Sequence, residues 1–155
     1  MTLSVAQTVV REAPPLSQVV FGPITFVAHC ERHGIPYFGQ AIVGYVPTAE
    51  RLGASTLRRM VQRAARYGET AFPRELVAML QVCVKPAGVA LDIRTGHECA
   101  GPQLIDESQR RSAAWHGRYR GDARLRAEFL ARCSALQTRT PRLSASRAPS
   151  RSTAW

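Results

Sequence analysis

The sequence predicts an α+β domain, a small antiparallel sheet with its helices layered on one face. Three observations carry that prediction. Residues 18–28 and 37–47 are rich in β-branched and aromatic residues and flank a short turn. Two following stretches, GASTLRRMVQRAARYG and 72–84, repeat apolar residues at three- and four-residue spacing. A second pair of strand-like segments then precedes a last helical pattern, so the order is strand, strand, helix, helix, strand, strand, helix.

Each element has its own signals. Residues 1–16 contain the Pro14–Pro15 pair and are expected to form a flexible arm. In the first strand, Gly22 and Pro23 mark a bulge or an edge position, because proline donates nothing to a ladder. The second strand alternates imperfectly (Phe38, Gln40, Ile42 against Tyr37, Ala41, Val43, Tyr45), which predicts partial cover on both faces. In the first helix, Ser55 or Thr56 is expected to cap, Leu57, Met60, Val61, Ala64 and Ala65 to face inward, and Gly68 to end the run. The second helix aligns Leu76, Met79, Leu80 and Cys83 and tolerates Pro73 in its first turn.

Pro86 and Gly88 break the chain before a strand over 89–99, with Val89, Leu91 and Ile93 on one side and Ala90, Asp92 and Arg94 on the other. That strand delivers His97, Glu98 and Cys99 to its end. A turn region over 100–108 leads to a fourth strand over 112–120, and Asp122 is placed to cap a helix over 122–133. From 134 to 155 the sequence is Ser, Arg, Pro and Ala without period and reads as a disordered basic tail, leaving 17–133 as the domain. So small a sheet leaves its edges and far face open, and self-association would close them.

Bulk properties narrow the function. The 155 residues are 45% hydrophobic, enough for one cored domain. A net charge of +10 would ordinarily raise nucleic acid as a partner. The excess is almost wholly arginine, Lys85 is the only lysine, and Arg139, Arg142, Arg147 and Arg151 fall in the tail, so nucleic-acid binding is not expected. No basic start with an apolar run and no membrane-length apolar window is present, so the chain is expected to be cytoplasmic with reduced thiols.

Those thiols matter in HCERHGIPYFG, residues 29–39. Cys30 and His33 have two residues between them on a tight turn, and Cys99 ends a different strand. If the two loops meet, they form a Cys2His set with one open position, a donor set suited to Zn²⁺. His29 is a possible fourth ligand, although neighbours on an extended backbone point oppositely. Cys83 and Cys133 fall on helical stripes and read as core.

The segments CERHGIPYFGQAIVGYVP, GASTLRRMV, PAGVALDIRTGHEC and RAEFL together resemble the GTP cyclohydrolase I family over roughly residues 17–133. The resemblance implies the tunnelling fold, assembled into a pentameric ring or a decamer-like double ring with active sites at subunit boundaries. It implies zinc on Cys30, His33 and Cys99, and His97 as the acid–base histidine. It implies a reaction in which a zinc-activated water attacks C8 of the guanine ring, formate leaves and a dihydropterin triphosphate closes. Ser55 and Arg59 match phosphate-side residues, and Glu69 is the acid nearest the position that anchors the guanine edge.

Three departures stand out. Arg32 replaces a histidine of the family motif and cannot act as a base. Thr56 stands where a lysine is expected and Gln103 where an arginine is expected. Two charge-assisted phosphate contacts are thereby missing, about 1.5–3 kcal/mol each. Arg32, Arg58, Arg59 and Arg63 are candidates for a relocated anionic cradle. The alternatives to a GTP-opening hydrolase are the same zinc site acting on a nucleoside, a less phosphorylated nucleotide or a pterin, and a non-catalytic relative.

Overall fold

The computed structural model describes residues 18–96 and 109–139. Strands β1 (Val19–His29), β2 (Pro36–Val46), β3 (Gly88–Gly96) and β4 (Gln109–Gly117) form one antiparallel sheet in that order. Helices α1 (Ala54–Ala65) and α2 (Phe72–Val84) lie between β2 and β3 in the chain; α3 (Arg118–Gly121) and α4 (Ala123–Arg139) follow β4.

Strand alternation sorts the side chains. The register pairs Ala41 with Ile93, Val43 with Leu91 and Tyr45 with Val89, placing these residues on one face. There they form a core with Leu57 and Val61 of α1 and Leu76 and Leu80 of α2, these four helix residues at most 1% exposed. Burying each such leucine stabilises by about 1.5–3 kcal/mol. This burial fixes α1, whose N-cap is Gly53 with no side-chain cap bond. Ser55 and Thr56, expected to cap, instead sit inside the first turn.

The opposite face was expected to stay open, and here the reading is corrected. Ile42, Val46 and Ala90 form a second core with Tyr119, Phe129 and Cys133 of α3 and α4. Thus α1 and α2 share one face as expected, while the C-terminal helix covers part of the other. The buried Asp92 carboxylate on that face accepts two bonds from Arg111, at 2.8 and 3.3 Å, and one from Gln137 Nε2 at 3.1 Å. Gln137 lies in the segment expected to be disordered. The helix continues to Arg139 because Leu136 has the second core to pack on and Gln137 has a buried carboxylate to satisfy.

Other details refine the reading. β1 is an edge strand whose register shifts between Phe21 and Ile24, so Gly22 and Pro23 make the expected bulge. The buried stripe of α2 is Phe72, Leu76, Leu80 and Val84; this four-residue step turns Cys83 out to solvent, against the core position expected, whereas Cys133 is buried. β4 stops at Gly117 rather than running to 120. A Cβ there would meet Ala87 O at 2.5 Å, and the chain turns into α3, which buries Tyr119. Asp122 caps α4 as expected, its Oδ1 accepting the Leu125 N–H at 2.9 Å. The 1–16 arm, the 100–108 turn region and the tail beyond 139 lie outside the described residues. Among the described residues no helix is long and apolar enough to cross a membrane.

Candidate metal centre

The β1–β2 hairpin builds one half of the expected site. His29 and Pro36 are the last registered pair, so Cys30 and His33 fall on the turn itself. That turn is held by Cys30 N–H donating to Ile35 O and Gly34 N–H donating to Cys30 O, each 2.8 Å, with Gly34 at φ +65. The positive φ suits glycine and closes the loop back on Cys30. The result brings Cys30 Sγ to 3.6 Å from His33 Nδ1.

This separation fits a shared metal. Zinc bonds of about 2.3 Å to sulfur and 2.0–2.1 Å to nitrogen at a tetrahedral angle hold the two donors roughly 3.5 Å apart. A thiolate and an imidazole also match the preference of Zn²⁺. Among the described residues no group of three His, Cys, Asp or Glu side chains could hold a metal ion. The expected third donor Cys99, with His97 and Gln103, lies outside the described residues. β3 nonetheless leaves the sheet at the hairpin end, since its last residue, Gly96, pairs with Phe38.

Carboxylates tie this end of the fold together, Glu31 from the turn itself and Glu69 from the α1–α2 connection; Glu31 was given no role in the sequence reading. Glu31 Oε1 accepts the Thr70 N–H at 3.5 Å and occupies the notch left by Gly68, where a Cβ would lie 2.2 Å away. Glu69 Oε1 accepts the Thr95 hydroxyl at 3.2 Å, tying the α1–α2 connection to the end of β3. Burial first, then the negative charges of Glu69, Glu31 and Cys30, push the Tyr37 phenol up to about 12. Tyr37 is therefore a neutral phenol at the base of the site. The legible signals were the glycine after α1 and the acid inside the Cys-x-x-His turn.

Of the remaining candidates, Arg32 and His29 adjoin the pair and Ser55 and Arg59 lie apart. Arg32 is exposed on the turn and His29 is exposed at the end of β1. Ser55 and Arg59 are exposed on α1. α1 starts near the far end of β2, where Leu52 N–H donates to Tyr45 Oη at 2.8 Å, and ends beside Glu31 through Gly68. Ser55 is therefore separated from the metal turn by most of the helix, about 15 Å at 1.5 Å per residue. Glu69, by contrast, lies with Thr95 at the end of β3, the end of the sheet that carries the Cys30–His33 turn.

A four-stranded antiparallel sheet with a helix pair between β2 and β3 and a Cys–His turn at one end defines a tunnelling-fold protein. The chain belongs to the GTP cyclohydrolase I family, whose model matches residues 3–134. It is similar to the GTP cyclohydrolase 1 of Latilactobacillus sakei subsp. sakei (strain 23K), 31% identical over 117 residues, covering 72% of this chain and 62% of that protein. The Bartonella henselae GTP cyclohydrolase 1 is 29% identical over 116 residues, 72% of this chain and 56% of that one. The Methylococcus capsulatus protein of the same name is 28% identical over 130 residues, 81% and 70% respectively. The chain thus spans less than two-thirds of the length of the first two. Among solved structures, the apo archaeosine synthase QueF-Like matches with TM-score 0.52 and 15% identity over 68% of this chain and 97% of that one. A putative dihydroneopterin aldolase (FolB) from Vibrio cholerae matches with TM-score 0.51 and 9% identity over 66% and 98%. These two share the fold.

Proposed function

We propose that this chain is a zinc-dependent hydrolase that opens the imidazole ring of a guanine nucleotide, converting GTP and water into 7,8-dihydroneopterin triphosphate and formate. The observation that carries the reading is the 3.6 Å approach of Cys30 Sγ and His33 Nδ1 on a turn of a chain that belongs to this family. Cys30, His33 and Cys99 would hold the metal. Zinc bound to such a set supplies Lewis-acid activation of water at neutral pH.

The chain's own groups divide the remaining work. His97, two residues before Cys99, would protonate N7 as C8 is attacked and relay protons as the ring opens. The Glu69 carboxylate, which accepts the Thr95 hydroxyl, would accept hydrogen bonds from the guanine edge. The Arg32 guanidinium, exposed on the turn, would attract anionic parts of the substrate. Ser55 and Arg59 would bind phosphate, and their separation from the turn favours a substrate shared between neighbouring chains of a ring, which would also cover the β1 and β4 edges.

The test is to incubate zinc-loaded protein with GTP and assay formate together with a fluorescent pterin after oxidation. Both are expected in equal amounts, and neither appears if the reading is wrong. Thr56 and Gln103 favour a second reading, a less phosphorylated or uncharged substrate. Turnover of guanosine, GMP or a pterin in preference to GTP would select it.

A further inference from the structure

We propose that Arg63 and Arg66 extend the phosphate side of α1 into a polyphosphate-binding strip that takes over from the basic groups absent at 56 and 103. The inference rests on the guanine-nucleotide reading and deepens it by naming two further residues that hold the triphosphate.

The placement follows from helix geometry. With Leu57, Met60, Val61, Ala64 and Ala65 buried, the opposite side of α1 carries Arg59, Gln62, Arg63 and, just past its end, Arg66. All four side chains are exposed, and they line an open groove of about 450 Å³. No acid occurs in α1, and none of these three guanidinium groups pairs with a carboxylate among the described residues. Several arginines elsewhere are engaged: Arg111 binds Asp92, Arg118 is 3.8 Å from Asp122, Arg124 is 3.4 Å from Glu128, and Arg58 stacks over the Phe21 ring at 5.7 Å.

Three unneutralised guanidinium groups within about 10 Å of helix repel one another in the free protein. An anion of matching length relieves that repulsion. Planar guanidinium forks bind phosphate oxygens in pairs, so consecutive phosphates can be gripped by residues at successive turns. Ser55 and Arg59 begin the strip, and Arg66 brings it toward the Glu31–Gly68 contact and the metal turn. A basic residue at a helix C-terminus also complements the helix dipole. That alone predicts no affinity for polyphosphate, so binding separates the two roles.

The experiment measures binding of inorganic tripolyphosphate by calorimetry to the full-length, zinc-loaded protein, alongside steady-state kinetics with GTP and GMP. Arg63→Ala/Arg66→Ala is compared with Arg74→Ala/Arg124→Ala, which removes two exposed charges on other helices, away from the strip, with circular dichroism as a folding check. We expect the strip variant to bind tripolyphosphate at least tenfold more weakly, with the control within twofold of wild type. We expect KM for GTP to rise at least tenfold and KM for GMP to change less than threefold. Wild-type protein that does not bind tripolyphosphate, or a strip variant that binds as well as the control, overturns the proposal. Absence of GTP turnover would instead refute the reaction, and the tripolyphosphate arm would still decide the strip.

Discussion

Replacing Gly68 with alanine tests whether the Glu31 carboxylate ties the metal turn to the α1–α2 connection. Gly68 has φ +91, and an added Cβ would fall 2.2 Å from Glu31 Oε1. The backbone component is a left-handed alanine, roughly 1–2 kcal/mol. The second component is indirect: Oε1 is the free end of a flexible side chain, so it swings away, and the Thr70 N–H loses its acceptor. At an exposed position this lies near the low end of about 0.5–1.5 kcal/mol. The sum, about 2 kcal/mol, lowers the melting temperature of a domain this size by roughly 6–10 °C. Gly34→Ala pays only the backbone component, since φ is +65 with no heavy atom within 4 Å of the added Cβ.

The decisive measurement is a double-mutant cycle of Gly68→Ala with Glu31→Ala, read by thermal melts and by zinc competition with a chromophoric chelator. Gly68→Ala should cost about 0.5–1 kcal/mol less when Glu31 is already gone. Both single variants should weaken zinc binding several-fold, while Glu31→Gln, whose amide oxygen accepts the same N–H, should retain it. Equal costs in both backgrounds, with zinc affinity unmoved, would refute the tie.

Other expectations are as specific. Cys30→Ala and His33→Ala should each leave the purified protein with well under one zinc per chain by elemental analysis, while Arg32→Ala keeps a full complement. Gly44→Ala places a Cβ 2.6 Å from Phe129 Cδ2, so chemical denaturation should show a loss of about 1–3 kcal/mol without loss of zinc. Burial pushes the Cys133 thiol from its ordinary 9.0 to about 12 and, with nearby negative charge, Tyr37 from 10.0 to about 12. Their protonated forms are favoured by folding, so this stability is fully present below pH 9 and lost as pH rises from there toward 12. Melting temperature should fall from about pH 9, and in Cys133→Ala the fall should begin nearer pH 10.

Local pattern and final structure agree most closely where one interaction dominates. The five inward residues of α1 were readable because helical period and burial coincide, and β1 could only bulge at Gly22–Pro23. The Cys30–His33 pair was readable as chemistry because its turn is short enough for covalent geometry to bring the donors together. In α2 the stripe drifted, since Phe72 anchors the helix and moves Cys83 outward. The helix through Gln137 was invisible because its cause is a buried carboxylate 45 residues earlier in the chain.

By itself, then, the sequence determined the order of elements, the apolar face of α1 and the approach of Cys30 to His33 on one short turn, all set by short-range geometry. Only the tertiary structure decided that α4 closes the second face, that Glu31 and Glu69 join the turn, the helix connection and β3, and that Arg59, Arg63 and Arg66 face solvent without carboxylate partners among the described residues. Those outcomes depend on which residues distant in the chain become neighbours, and that is fixed by the strand register and the burial of the two cores.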